Sequence, residues 1–171
     1  MNEAESSADI ESLIADLTCD DVLKCQKARR TLVDMGSPAV APFIEALSSP
    51  IHWVRWEAAK GLGEICDPAA IDALLEAIED LNFDVRWLAA EGLIRIGSDS
   101  IVPLLKAIIH RPDSVKMRMG AHHVLHDLST DESQGLLQPL LTALDNLESP
   151  EVPLLAMEVL NKHCHLYTSP S

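Results

Sequence analysis

The sequence is poor in basic residues and in long apolar stretches, and each shortage excludes a class of protein. Its 171 residues include 13 Lys and Arg against 27 Asp and Glu, which gives a formal net charge of -14. A nucleic-acid-binding surface needs clustered bases to neutralise phosphates, so we expect no nucleic-acid partner. No run approaches the roughly 20 apolar residues of a membrane span, and the acidic start MNEAESSADI is unlike a signal peptide. We therefore expect a cytoplasmic protein without a membrane partner.

Cysteines and aromatic residues are also few. The four cysteines form no CxxC pair and no framework spacing, which favours reduced thiols over disulfides or a zinc site; they are Cys19, Cys25, Cys66 and Cys164. Aromatic residues make up only 4% of the chain, but its 47% hydrophobic content is that of a folded protein. The length is sufficient for a single domain with a sizeable core.

Internal repeats are the strongest positive signal in the sequence. The stretch VRWEAAKGLGEIC at residues 54–66 recurs as VRWLAAEGLIRIG at residues 85–97, a shift of 31 residues. A looser copy covers residues 117–128. Within each copy the apolar residues recur at i, i+3, i+4 and i+7, a spacing that predicts a helix. A second apolar pattern precedes each copy, so every repeat is predicted to contain two helices.

Five such helix pairs are predicted, with no linker between them. A single pair cannot bury both of its apolar stripes, so neighbouring pairs must stack. The predicted fold is therefore all-α, a short right-handed α-solenoid or superhelix, and the whole chain 1–171 is predicted to be one domain. The approximate units are 9–36, 37–66, 67–97, 98–128 and 129–163, followed by a tail at 166–171.

The predicted helices also carry end signals. Asp67-Pro68 places a capping carboxylate before a proline in the first turn, where the missing N–H costs nothing. Gly36 and Gly97 suit the left-handed residue that closes a helix, and Cys66 stands at the equivalent position.

The segment VRWEAAKGLGEICDPAAIDALLEAIED at residues 54–80 resembles the phycobilisome-lyase type of HEAT repeat. The resemblance is strong over residues 37–128 and weak beyond. It implies about five HEAT-like helix pairs that serve in scaffolding or partner binding. Some members of this family attach or detach bilin chromophores.

Other relatives of this type, the deoxyhypusine hydroxylases, bind iron through His-Glu dyads that follow the Val-Arg position of the second helix. The equivalent dipeptides here are Trp56-Glu57, Trp87-Leu88 and Met119-Gly120. Because the iron ligands are missing, we do not expect that activity, nor any metal or cofactor.

The second helix of each repeat is predicted to present a row of large apolar side chains. At about 100° per residue, Val54, Ala58 and Leu62 face the core, whereas Trp56 points the other way together with Trp53, Lys60 and Gly63. One register through the repeats gives Gln26, Trp56, Trp87, Met119 and Leu154. In a solenoid this register lines the concave surface. Two interpretations stay open, since the tryptophans either bind a partner or cover neighbouring repeats.

We interpret the sequence as a non-enzymatic module that binds another protein or a peptide in its concave groove. The acidic chain favours a basic partner and the apolar row an apolar one. Arg30, Lys60 and Glu91 lie one turn further along the second helices, and we assign polar specificity at the rim of the groove to them. The candidate binding residues are Trp53, Trp56, Trp87, Met119, Arg30, Lys60, Glu91 and His123.

Two rival hypotheses remain. The chain could be a chromophore-handling accessory like the bilin lyases, with His123 or His126 as the acid–base group, or a subunit of a larger assembly. His122 and His126, four residues apart on one helix, form a weak zinc candidate, although Asp127 is expected to point off that face. Arg55, Arg86 and Arg118 are interpreted as structural, bound to Asp80, Asp84 or helix-end carbonyls.

Overall fold

The computed structural model describes the backbone of residues 3–18, 20–146 and 148–168, and side chains over residues 9–18, 20–146 and 148–162. Cys19 and the side chain of Cys164 therefore lie outside the described residues. Within these ranges the regular structure is entirely helical. The helices are α1 Glu3–Asp16, α2 Val22–Met35, α3 Val40–Ala46, α4 His52–Ile65, α5 Ile71–Ala77, α6 Phe83–Ile96, α7 Ile101–His110, α8 Val115–Leu128, α9 Asp131–Asp145 and α10 Val152–Thr168.

The helices confirm the all-α fold and the predicted pairing of helices within each repeat. Three first helices are preceded by 3₁₀ turns, at Ser37–Ala39, Pro68–Ala70 and Gly97–Ser100. Two compact units divide the chain, Met1–Ile96 and Gly97–Ser171; the division falls one residue before the predicted end of the third repeat. We call them unit 1 and unit 2; that residues 1–171 act as one domain remains a prediction.

Unit 1 contains two layers of helices. Each first helix packs against the second helix of its own pair, while α2 packs on α4 and α4 packs on α6. We call α1, α3 and α5 the first-helix layer, and α2, α4 and α6 the second-helix layer. Side chains between the layers are fully buried, and they include Phe43, Leu32, Leu62, Leu74 and Leu93. Leu32, Leu62 and Leu93 occupy equivalent positions of the second helices, and Val54, Ala58 and Leu62 are buried as predicted.

Two glycines allow α4 and α6 to approach each other closely. A Cβ atom built on Gly63 would lie 3.0 Å from Cα of Gly92, a backbone atom that cannot rotate away. Gly63 was expected to face outward with Trp56, and this was wrong, because it is buried against the neighbouring helix. Helical periodicity alone does not indicate where a second backbone will approach.

A buried ion pair joins α2 to α4. Arg29 Nε donates to Glu57 Oε2 at 2.7 Å, and the guanidinium also donates to Glu64. The side chains of Arg29 and Glu57 are only 4% and 6% exposed. Charges this deeply buried must be paired, since an isolated one would cost several kcal/mol.

Helix α4 ends on a residue in an unusual conformation. Cys66 has φ 57° in the left-handed region, where the equivalent Gly36 and Gly97 have φ 72° and 87°. Its Sγ lies 3.1 Å from the carbonyl oxygen of Gly63. Cys66 thus performs the closing role that the sequence suggested, at the backbone cost that glycine avoids.

Unit 2 packs its helices in a different order. Helix α8 packs against α7 and α9, and α10 packs against both α9 and α7. Buried residues such as Leu104, Leu125 and Leu140 fill the space between these helices. Helix α10 continues to Thr168 and so extends into the predicted tail.

Replacing Gly63 with Ala is expected to lower the free energy of unfolding by about 1–3 kcal/mol, because the added methyl group forces α4 and α6 apart. Gly135 in α9 is the matched control, since a Cβ there meets nothing within 4 Å. Gly135→Ala should stabilise the protein by up to about 1 kcal/mol through helix propensity. Urea denaturation measures both. If Gly63→Ala stabilises as much as Gly135→Ala, the close helix contact is not present in solution.

Candidate partner-binding surface

The second-helix layer of unit 1 exposes aromatic side chains along α4 and α6. Trp53 is 39% exposed, Phe83 58% and Trp87 48%, while Trp56 is half-buried. We call these four side chains the aromatic face. A soluble protein exposes isolated apolar residues routinely, but several large ones on adjacent helices mark a surface that can dock a partner.

Trp56 is shielded within its own helix. The Nζ atom of Lys60 lies 4.7 Å from the centroid of its ring, a cation–π geometry one turn along α4. Trp53 contacts His52 edge to face, with ring centroids 5.4 Å apart. Trp53 therefore offers more exposed surface than Trp56, although the prediction took Trp56, Trp87 and Met119 as the anchors.

On α6 the rings of Phe83 and Trp87 stack, with centroids 6.4 Å apart and an interplanar angle of 30°. The Arg86 guanidinium carbon lies 5.5 Å from the Phe83 ring centroid. Phe83 is absent from the residues predicted by sequence. It precedes the repeated Val-Arg-Trp motif by two residues, and its equivalent in the previous repeat is His52, so the repeat comparison gave no signal. Its four-residue separation from Trp87 could have identified it.

A polar row runs beside the aromatic face, one turn further along the helices. Arg30 is exposed on α2, whereas Lys60 on α4 and Glu91 on α6 are half-buried. The three residues occupy equivalent repeat positions, and α4 packs against both α2 and α6. The structure thus places the predicted polar residues on adjacent helices, within the same layer as the aromatic face.

The remaining predicted residues belong to unit 2. Met119 is 55% exposed and Leu154 is 60% exposed, and His123 is half-buried. Met119 and His123 lie one turn apart on α8, the same separation as Trp56 and Lys60.

The recurring arginines hold helix ends and loops, as the sequence indicates. Arg55 donates to both carboxylate oxygens of Asp80 at 2.7 and 3.0 Å, and to the carbonyl oxygen of Ser49 at 2.9 Å. Hydrogen bonding to Asp80, followed by the charge of that carboxylate, raises the pKa of Arg55 despite partial burial. Arg86 donates to the carbonyl oxygens of Asp80 and Leu81.

Arg118 has the equivalent role in unit 2. It is buried and donates to the carbonyl oxygens of Pro112 at 2.7 Å and Ser149 at 3.0 Å. Through these hydrogen bonds to main-chain oxygens, Arg118 positions the loops before α8 and α10.

The histidines of α8 do not converge on a common point. The rings of His122 and His126 stack with centroids 6.1 Å apart. His122 Nε2 lies 3.1 Å from Asp145 Oδ1, and His126 Nδ1 lies 3.3 Å from Asp127 Oδ1. The expectation that Asp127 points away from His126 was therefore wrong. Among the residues the structure describes, no group of three or more His, Cys, Asp or Glu could hold a metal ion.

The helices of the described ranges are each too short or too polar to cross a bilayer.

Comparison with protein families identifies one repeat type over most of the chain. The family model described as HEAT repeats matches residues 10–82 and 71–161. No curated protein matches the sequence.

Among solved structures, the chain is similar to a chain from the complex of CpcE and CpcF of phycocyanin lyase from Nostoc sp. PCC7120. The TM-score is 0.61 at 24% sequence identity, and the match covers 90% of this chain and 98% of that chain. At this identity the likeness shows the fold alone, an α-solenoid of HEAT-like helix pairs.

The different exposure of the tryptophans predicts different costs of truncation. Trp56→Ala should lower the free energy of unfolding by about 2–3 kcal/mol, because half-buried apolar area and its packing are lost. Trp87→Ala should cost about 1 kcal/mol less than Trp56→Ala, since nearly half of its side chain already faces solvent and that area is not lost on truncation. Thermal and urea denaturation of the two single variants test this. Equal, large losses would mean that both rings are structural covers.

Proposed function

We propose, since the chain belongs to the HEAT-repeat family, that it is a non-enzymatic protein–protein interaction module whose aromatic face binds another protein. The observation that carries the proposal is the exposure of Trp53, Phe83 and Trp87 on adjacent helices of unit 1. Close packing of α4 on α6 at Gly63 and Gly92 places these side chains on adjacent helices, so we expect little ordering entropy to oppose binding.

The available energy is sufficient for specific recognition. A tryptophan buries about 150–250 Å², and at about 25 cal/mol per Å² the exposed half of one ring contributes about 2 kcal/mol on binding. Three such anchors resemble the small set of aromatic residues that dominates most interfaces. The polar row of Arg30, Lys60 and Glu91 would then select among apolar partners by charge and hydrogen bonding.

Met119 and His123 of unit 2 extend the proposal. Their repeat positions match those of the tryptophans and of the polar row, and Met119 is exposed. A flexible thioether adapts to varied apolar partners, so Met119 would give unit 2 an apolar partner contact of its own.

The experiment is affinity capture from a lysate of the source organism, followed by mass spectrometry. The double variant Trp53→Ala, Trp87→Ala should lose at least about tenfold of the captured partner, corresponding to about 1.4 kcal/mol or more. The double variant should remain folded at the capture temperature, because both rings are substantially exposed and each truncation removes only part of what a fully buried tryptophan contributes; its melting temperature checks this.

Met157→Ala is the matched control, since Met157 is 46% exposed on α10 and lies outside the aromatic face. It should capture the partner as the unmodified protein does. The proposal fails if the tryptophan variant captures the same proteins in the same amounts, or if both variants lose them equally.

A second candidate function is that of a chromophore-handling accessory protein. One solved structure of similar fold is that of the complex of CpcE and CpcF of phycocyanin lyase. An aromatic face flanked by Lys60 and Arg86 is compatible with a flat, conjugated, carboxylate-bearing ligand such as a bilin.

Visible absorbance separates the two candidates. Under the interaction-module proposal, added phycocyanobilin keeps the spectrum it shows with an unrelated acidic protein. A stoichiometric shift that disappears in Trp53→Ala, Trp87→Ala would instead favour chromophore handling. Titration at a fixed protein concentration measures the stoichiometry.

A further inference from the structure

The two layers of unit 1 carry different charges. Among the residues whose side chains are described, the first-helix layer contains six acidic residues, three on α1, one on α3 and two on α5, and no Lys, Arg or His. The second-helix layer contains eight Lys and Arg and only five acidic residues. A cationic partner is therefore attracted to the first-helix layer, on the side of unit 1 that the proposed function does not use.

A cavity of about 1010 Å³ opens between α1 and α3 in this layer. Its apolar lining comes from Ile10 and Ile14 of α1, Pro42 and Ala46 of α3, and Val54 of α4. The volume is at the upper end of what small-ligand pockets occupy, and it is sufficient for several side chains of a polypeptide.

Two carboxylates, one from each helix, line the cavity with these apolar groups. Glu11 belongs to α1 and Glu45 to α3, both are exposed, and neither has an ion-pair partner within the part of the chain whose side chains are described. The hydroxyls of Thr18, Ser48 and Ser49 complete the polar lining. An apolar floor with an acidic rim complements an apolar side chain flanked by cations.

We propose that this cavity binds a basic amphipathic segment of a partner protein. An aliphatic or aromatic side chain of the segment enters between α1 and α3, and its flanking Lys or Arg residues pair with Glu11 and Glu45. A basic amphipathic segment complements both the apolar floor and the acidic rim of this cavity, whereas a purely apolar occupant would leave Glu11 and Glu45 without a cationic partner. The site goes beyond the proposed function, because it belongs to the other layer of unit 1 and needs none of the aromatic side chains.

The test uses a fluorescein-labelled amphipathic peptide of leucine and lysine as the probe, with binding followed by fluorescence anisotropy. Glu11→Gln, Glu45→Gln should weaken binding by about tenfold or more, since two charge pairs at the rim are lost. Asp72→Asn, Glu76→Gln on α5 removes the same charge from the same layer but from outside the cavity. This control should weaken binding by less than about twofold. An equal loss in both variants would reduce the binding to general attraction and overturn the proposal.

Two further variants separate the cavity from the charge and from the aromatic face. Ser48→Trp places a large side chain at an exposed lining position and should abolish binding, with an unchanged circular dichroism spectrum showing that the fold is intact. Trp53→Ala, Trp87→Ala should bind the probe normally, whatever becomes of the proposed function. Unchanged binding by Ser48→Trp would overturn the proposal. So would a concentration-dependent dimer that Ser48→Trp abolishes while the peptide fails to bind, which would assign the cavity to a second copy of the chain.

Discussion

The contact between the backbones of Gly63 and Gly92 is the constraint on which unit 1 depends. With no Cβ at either position, the backbones of α4 and α6 approach into the space that a Cβ would occupy. The same approach aligns two copies of the Val-Arg-Trp motif on adjacent helices. The aromatic face is thus a consequence of core packing. The two glycines set the distance between α4 and α6, and that distance determines how far apart the tryptophans of the two helices lie on the surface.

Much of this fold can be predicted from the sequence because its repeats are strongly periodic. The apolar spacing around Leu62 and Leu93 identifies buried helices directly, and proline and glycine mark their ends. Unit 2 was harder, since residues 129–163 lack the repeated motif that defines a register. Nothing in the spacing of α10 indicates that it packs against α7. Such contacts depend on the shape of the neighbouring helices, which a single segment does not encode.

The sequence predicts in which direction the side chains of the candidate surface point, but not which neighbours they contact. Helical periodicity correctly turns Trp53 and Trp87 away from the core, since direction follows from 100° per residue. It does not show that Lys60 covers Trp56, that Phe83 joins Trp87, or that Glu57 beside Trp56 pairs with Arg29 in the interior. Each of these depends on which side chain reaches which neighbour. The cavity between α1 and α3 was missed for a related reason, because a gap between helices has no sequence signature.

The unequal charge of the two layers gives unit 1 an electric dipole moment perpendicular to the layers. Its negative pole is the layer of α1, α3 and α5. A molecule with such a dipole is rotated by the field of a charged body before the two touch. A strongly cationic surface would therefore meet Glu11 and Glu45 first, and the tryptophans on the far side would remain turned toward solvent. The distribution of acidic residues along the repeats therefore determines the orientation in which unit 1 approaches a charged surface, as well as its affinity for that surface.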